Sequence, residues 1–364
     1  MRVEQIKIEK VEVAAYTIPT DRPESDGTLE WEATTVVVAH ITAGGRKGVG
    51  YSYTHAAAAR LIDDKLAPLL IGRNALDLPD CWRSLTNAIR NLGDTGLCMM
   101  AVAAVDNGLW DLKAKLLDLP LALLLGRARS EVPIYGSGGF TSYSDKELAE
   151  QLGGWVAAGI PRVKMKIGRQ PDADPARVDA ARLAIGNDAE LFADANGGYD
   201  RKQALTMAGI LADYNVTWFE EPVCHRDRQG LRLLRDRAPD GMEITAGEYG
   251  FQIGYFHELL ATQAVDVLQA DATRCGITVF LQVAALCVAH RMPLSSHTAP
   301  ATHLHPCCAA LPVRHLEYFH DHVRIEGMLF DGIREPAAGR LAPDLSRPGL
   351  GIELKSRDAE RFKV

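Results

Sequence analysis

Between residues 132 and 319 the chain repeats one unit eight times: a short apolar run, then an amphipathic stretch. The runs are VPIYGS (132–137), RVKMKIG (162–168), ELFADAN (190–196), VTWFEEP (216–222), MEITAGE (242–248), DVLQAD (266–271), MPLSSH (292–297) and RHLEYF (314–319). Runs of this length read as strands, and the stretches between them are long enough for helices. One such helix opens with Ser144 and Glu147 in capping-box spacing and presents Leu148, Leu152, Trp155 and Val156 on one side. Strand–helix–strand units pair in parallel with right-handed crossovers, and eight of them predict a closed α/β barrel of TIM type.

Ahead of the repeat, residues 5–18 alternate, with Ile6, Ile8, Val11 and Val13, and a β-branched run (34–43) precedes Gly44 and Gly45. These predict an antiparallel meander. Helical stretches follow at 56–70, 77–92 and 96–117, until Pro120 breaks the pattern. The last forty or so residues, rich in Gly and Pro, predict a tail that folds back over the rest. The expected division is an N-terminal α+β domain (1–126), a barrel (127–325) and a returning C-terminal segment (326–364).

With 40 Lys and Arg against 47 Asp and Glu, the net charge is −7 and basic residues do not cluster. Phosphate backbones and anionic membranes attract clustered positive charge, so nucleic acid and membrane are not expected partners. The first residues alternate charge with Ile and Val rather than forming the apolar stretch of a signal peptide, and no later segment reaches the roughly 20 uncharged residues of a membrane span. The expectation is a cytoplasmic protein. Its seven cysteines, an odd count without a C-x-x-C pair, read as reduced and mostly buried, with a nucleophilic Cys224 or Cys275 as a lesser alternative.

Nearly every apolar run ends in a charged or hydrogen-bonding residue: Lys164 and Lys166, Asp194 and Asn196, Glu220 and Glu221, Glu248, Asp271, His297, Glu317. All strand C-termini of a parallel barrel share one face, so these residues converge on one pocket. Lys164 and Lys166, two apart, point to the same side. Asp194, Glu220 and Glu248, on successive strands, make a carboxylate cluster that a cation must neutralise. Hard oxygen ligands without Cys favour Mg²⁺. Alone, His297 reads as an ordinary core or surface histidine, and His303, His305, His315, His320 and His322 are taken as structural.

The ordered set K-M-K, F-A-D-A-N, W-F-E-E-P, T-A-G-E, Q-A-D-A and L-S-S-H resembles the mandelate racemase subgroup of the enolase superfamily, which includes acid sugar dehydratases. A-A-V-D-N-G-L-W-D-L-K-A-K (103–115) and P-L-A-L-L-L-G (120–126) resemble that family's capping-domain helix and linker, so the likeness spans the chain. It implies a (β/α)₇β barrel under an α+β capping domain. It implies Asp194, Glu220 and Glu248 as Mg²⁺ ligands, Lys166 and His297 as opposing acid/base groups, and Asp271 as the partner that orients His297. Lys164 and Glu317 would contact the substrate carboxylate, with Glu317 protonated, and Glu221 would lie behind the ligands. Lys166 is expected to be partly neutral, because Lys164 and Mg²⁺ disfavour its charge. A symmetric homo-oligomer, from dimer to octamer, is also implied.

Two departures carry expectations. The family's glycine pair after the sixth-strand Asp is a single glycine here, D-A-T-R-C-G-I-T, and Asp271 lies 26 residues before His297, one fewer than the subgroup spacing. A tilted Asp–His pair is therefore expected. No lysine occurs between Lys202 and Lys355, which excludes the sixth-strand lysine of the muconate-lactonising and dipeptide-epimerase relatives.

One enolate serves two reactions: return of the proton to the α-carbon racemises, whereas protonation of a β-hydroxyl expels water and leads to a 2-keto-3-deoxy acid. The first capping loop, T-D-R-P-E-S-D-G-T-L-E-W-E (20–32), carries Asp21, Arg22, Glu24, Asp26, Glu30 and Glu32, which suits a polyol chain. Acid-sugar dehydration is the preferred expectation. Racemisation or epimerisation of a 2-hydroxy acid comes second, and a non-catalytic sugar-acid and Mg²⁺ binding protein third. Arg22 is placed to meet a distal carboxylate, Tyr53, Thr54 and His55 form a second loop at the mouth, and Ser137 and Asn196 are further substrate contacts.

Overall fold

The computed structural model describes residues 5–364. Strands β1 (Ile8–Ser25), β2 (Glu30–Ala43) and β3 (Arg46–Tyr53) form the antiparallel meander. β1 and β2 stay paired as far as Ser25 and Glu30, so most of the stretch expected as a capping loop is a hairpin. Its tip is an Asx turn, in which Asp26 Oδ1 accepts from Thr28 N (2.6 Å) and Leu29 N (2.7 Å). Helices Leu78–Ile89 and Leu97–Leu116 complete this domain, the second lying on β2 and β3. The helix expected over 56–70 is not continuous: Ile62–Leu66 is a wider π turn between two short α segments. Pro68 has no N–H for the carbonyl four residues before it, and the wider turn accommodates that loss.

The eight apolar runs are eight parallel strands: β4 (Val132–Ser137), β5 (Arg162–Lys166), β6 (Glu190–Asp194), β7 (Val216–Glu220), β8 (Glu243–Ala246), β9 (Val267–Ala270), β10 (Leu294–Ser296) and β11 (Val313–Phe319). Pairing of β11 with β4 closes the barrel. Tyr135, Phe192, Trp218 and Val267 fill its middle, with Phe192 and Trp218 stacked at 5.1 Å. This apolar layer is the floor on which the strand-end charges stand.

Helix His320–Leu329 spans residue 326 and leads into the C-terminal segment at Phe330. It then returns to the first domain, where Leu121 N donates to Gly349 O (2.7 Å) and Val364 N to Ala15 O (3.0 Å). Helix Ala272–His290 is long and apolar enough to cross a membrane by composition, but it is a barrel helix packed against Leu97–Leu116.

Polar residues of that capping helix join the two domains. Buried Asn107 accepts from Ile277 N (3.0 Å) and donates to Ala272 O (2.9 Å) and Tyr51 O (3.2 Å), while Asp106 accepts from Thr278 N (2.8 Å). Asn107→Ala leaves three buried backbone groups without partners, each costing about 1–3 kcal/mol. The expected loss is about 3 kcal/mol or more, read from the melting temperature; an unchanged value rejects this role.

These bonds land beside the turn that lacks a glycine. Gly276 alone takes the positive φ (80°) there, and a Cβ at that position would sit 2.6 Å from Asp106 Oδ2. Cys275 stays within the helix, so one glycine suffices.

Candidate active site

The barrel register sets the site. Lys166 pairs with Asp194 and Asp194 with Glu220 across β5, β6 and β7, which puts an ammonium and two carboxylates side by side. One carboxylate oxygen each from Asp194, Glu220 and Glu248 lies within 4.8 Å of the others, all three buried. Lys164 Nζ donates to both Glu220 oxygens (2.7 Å each) and lies 2.8 Å from Glu317 Oε1; Lys166 Nζ donates to Asp194 Oδ2. Trp218 Nε1 donates to Glu220 Oε2 (2.9 Å), and Asn196 N to Asp194 Oδ1 (2.8 Å).

On the opposite wall, His297 Nδ1 is 2.9 Å from Asp271 Oδ2. The tilt expected from the shortened turn does not disrupt this bond. Asp271 Oδ1 is fixed by Thr273 N and Thr273 Oγ1, both at 2.7 Å. With Nδ1 engaged, Nε2 faces inward and lies 3.2 Å from Glu248 Oε2, not aligned as a hydrogen bond. Four non-glycine residues at the strand ends take the left-handed conformation: Asn196, Glu221, Thr298 and Ala299. Such strain, about 1–3 kcal/mol per residue, persists where surrounding structure enforces it and gathers at functional sites.

The electrostatics differ from expectation at Glu317. Burial pushes the Glu317 carboxyl up, but Lys164 and His297 outweigh it and hold it at about 2, so Glu317 is ionised, not the expected neutral acid. It accepts from Lys164 and from Thr298 N (2.8 Å), bonds that favour the charged form. Burial pushes the Lys166 ammonium down, yet Asp194 outweighs both it and Lys164, so Lys166 is protonated before a cation occupies the trio; the expected partial neutrality concerns the trio with Mg²⁺ bound. Burial likewise lowers His297, but Glu248 and Asp271 raise it to about 10. Burial drives the Glu221 carboxyl well up, reinforced by Glu248, and its Oε1 has no partner among the described residues.

A cavity of about 190 Å³ opens above these groups. Lys166, Asn196, Glu248, Asp271, His297, Glu317 and Tyr53 line it. Three residues expected at the substrate lie elsewhere. Arg22 is outside the cavity, 3.2 Å from Glu147, with its guanidinium over the Tyr143 ring. His55 is exposed, and its Nδ1 accepts from Ala57 N (3.1 Å), starting the following helix. Ser137 is fully buried beside Lys164 in the register, and its hydroxyl has no partner among the described residues.

Most of the hairpin charges also turn away. Glu30 pairs with Arg169 (2.8 Å) and Asp21 with His320 (3.2 Å); only Asp26 reaches the cavity, beside Leu29 and Trp31. A two-residue alternation on a twisted hairpin decides which side faces inward, which a loop would not impose. Arg274, Tyr249, Thr298, Phe319 and His322 also line the cavity. The sequence reading missed them, although Arg274 lies three residues past Asp271 and His322 three past the last strand. Cys275 is buried, which pushes its thiol well up and removes it as a nucleophile.

The trio fits a divalent cation. Its ligand atoms are all oxygen, they converge on one point, and Glu248 Oε2 has no hydrogen-bond donor among the described residues. Bound by Asp194, Glu220 and Glu248, Mg²⁺ would supply fixed positive charge for the negative charge that builds on a substrate carboxylate.

Residues 11–126 match the sequence profile of the mandelate racemase/muconate lactonizing enzyme N-terminal domain, and residues 147–359 that of the enolase C-terminal domain-like family. The chain belongs to the mandelate racemase branch of the enolase superfamily. A mandelate racemase/muconate lactonizing enzyme-like protein from Rubrobacter xylanophilus superposes with a TM-score of 0.96 at 54% identity, over 98% of this chain and 100% of that one. L-talarate/galactarate dehydratase of Salmonella typhimurium is 32% identical over 98% of this chain and 91% of its own length. Its structure liganded with Mg and L-lyxarohydroxamate superposes with a TM-score of 0.91 at 30% identity, covering 100% of this chain and 95% of that one. A third relative, 3,6-anhydro-alpha-L-galactonate cycloisomerase of Streptomyces coelicolor, is 31% identical over 98% of this chain and 99% of its own length. The Salmonella typhimurium structure is liganded with Mg, and the trio of this chain offers the all-oxygen set that such an ion takes.

The hairpin tip is held against the barrel by close backbone approach. A Cβ on Gly27 would lie 2.2 Å from Ala195 O and 2.7 Å from Ile167 O, which cannot move without distorting β5 and β6. Gly27→Ala is expected to lift the tip from the cavity and raise KM about tenfold or more, with little change in melting temperature because the tip is a surface turn. An unchanged KM rejects the tip as the cavity's cover.

Proposed function

We propose that this enzyme removes the proton α to the carboxylate of an acid sugar and eliminates the β-hydroxyl, giving a 2-keto-3-deoxy acid. The observation that carries the reading is that Lys166 and His297, from β5 and the end of β10, face one cavity across the carboxylate trio. In this reading Asp194, Glu220 and Glu248 hold Mg²⁺. One of Lys166 and His297 takes the α-proton while the other protonates the departing β-hydroxyl, which leaves as water. The resulting enol then ketonises.

Asp271 holds the His297 ring so that Nε2 faces inward, and Lys164 and Glu317 set the polarity where the substrate carboxylate binds. Neighbouring Asn196 and Arg274 offer hydrogen bonds to substrate oxygens. The dehydratase relative supports this choice of reaction; of the hairpin charges only Asp26 still does, since most of the others face away.

Leu29, Trp31 and Phe319 favour a second reading, racemisation of a 2-hydroxy acid with an apolar substituent, because they give the cavity an apolar wall. A panel of acid sugars and aryl 2-hydroxy acids with Mg²⁺, scored for keto acid and for exchange of the α-proton with D₂O, separates the two. Keto acid without net racemisation is the expected result; exchange alone on every acid sugar rejects dehydration. The same reading includes a cytoplasmic homo-oligomer, which light scattering and cell fractionation test.

A further inference from the structure

On the side of the cap hairpin away from the cavity lies a second cluster of ligand atoms. One carboxylate oxygen from each of Asp21 and Glu24 and one imidazole nitrogen of His320 lie within 4.8 Å of one another. Asp21 and Glu24 stand at the end of β1, where the register with β2 slips between Pro19 and Glu24, and His320 directly follows β11. His320 Nε2 is 3.2 Å from both Asp21 oxygens.

Glu24 is the telling residue. It is 0% exposed; its Oε2 accepts from Trp31 Nε1 (2.8 Å), and its Oε1 has no partner among the described residues. A buried carboxylate oxygen left without a donor is costly, so it calls for a proton or a cation. The terminal nitrogens of the nearby arginines bond elsewhere, Arg324 to Asp321 (2.6 Å) and Pro19 O (2.7 Å) and Arg22 to Glu147; the buried Nε of Arg324 has no partner among the described residues, and its charge only partly offsets the burial of Glu24. Burial, with Asp321 and Asp21 adding to it, pushes the Glu24 carboxyl up to about 9, the behaviour of a site short of positive charge.

We propose that Asp21, Glu24 and His320 bind a transition-metal dication of the zinc class, which clamps the cap hairpin to the end of the eighth barrel strand. An imidazole with two carboxylates is a set that zinc takes readily, whereas Mg²⁺ prefers oxygen alone. The clamp acts on the cavity without touching its chemistry. Glu24 anchors Trp31, and His320 adjoins Phe319; Trp31 and Phe319 both line the cavity and both meet Phe140 edge-on, at 5.7 Å each. Fixing the two ends orders that wall. The site shares no residue with the Asp194–Glu220–Glu248 trio and does not depend on the reaction proposed above.

The test is equilibrium dialysis of the full chain against micromolar Zn²⁺ with millimolar Mg²⁺ present, with metal counted by mass spectrometry. About one zinc per chain is expected. Asp21→Asn and His320→Gln should each weaken zinc binding about tenfold or more, while Glu248→Gln should keep it. Absence of zinc from the wild type overturns the proposal, as does zinc retained in both hairpin-side variants or lost in Glu248→Gln. Anomalous scattering at the zinc edge from wild-type crystals gives an answer that needs no variant: a peak between Asp21, Glu24 and His320 supports the clamp, and a peak only elsewhere overturns it.

Discussion

Lys166→Ala is expected to lower kcat by about 10²–10⁴-fold, the range that a positioned acid or base contributes, and His297→Asn by a similar factor. Neither change should unfold the protein. Lys166 stands at the cavity wall rather than in the apolar floor, and Asn at 297 keeps polar atoms near Asp271. The two variants should differ in what survives. Whichever residue acts only as the acid can be removed without stopping exchange of the α-proton with D₂O, whereas loss of the base stops exchange and elimination together. A fall of less than tenfold in either variant rejects its assignment. Lys166→Ala should also bind Mg²⁺ more tightly, because the ammonium that competes for Asp194 Oδ2 is gone.

Mg²⁺ is expected to raise the melting temperature, and Glu220→Gln to abolish the rise. Three buried carboxylates within 4.8 Å repel one another, and a cation binding the folded state alone stabilises it by about 2.7 kcal/mol at a hundredfold excess over Kd. That amounts to several degrees for a chain of this size. Chelation should remove the shift and the activity together, and readdition of Mg²⁺ should restore both. A melting temperature indifferent to Mg²⁺ in the wild type would show that Lys164 and Lys166 already satisfy the trio, leaving no metal centre.

These expectations rest on residues that could be picked from the chain unaided, and the reason is geometric. A short apolar run between amphipathic stretches has few solutions other than a parallel strand, and a closed parallel barrel sends every strand C-terminus to one face. Hence Lys166, Asp194, Glu220, Glu248, Asp271 and His297 were legible as neighbours before any distance was known. Arg22 and His55 were not legible in the same way. Their direction depends on the twist and register of a hairpin and on where a helix begins, and each found a nearer partner, Glu147 and Ala57 N.

Protonation was the other thing hidden. A neutral Glu317 would suit the chemistry it serves, but charge states follow the nearest charges at contact distance. Lys164 sits 2.8 Å from Glu317, and Asp194 touches Lys166.

The order of apolar and charged residues, then, determined the barrel, the face that carries its site and the oxygen-rich ligand set, because strand and helix periods are local properties. Tertiary structure alone decided that one glycine, Gly276, suffices for the turn beside Asp271, that the cap brings Leu29, Trp31 and Asp26 to the cavity and turns most of its other charges away, and that Glu24 is buried beside Asp21 and His320. Those outcomes depend on contacts between segments far apart in the chain, whose distances and burial no local pattern encodes.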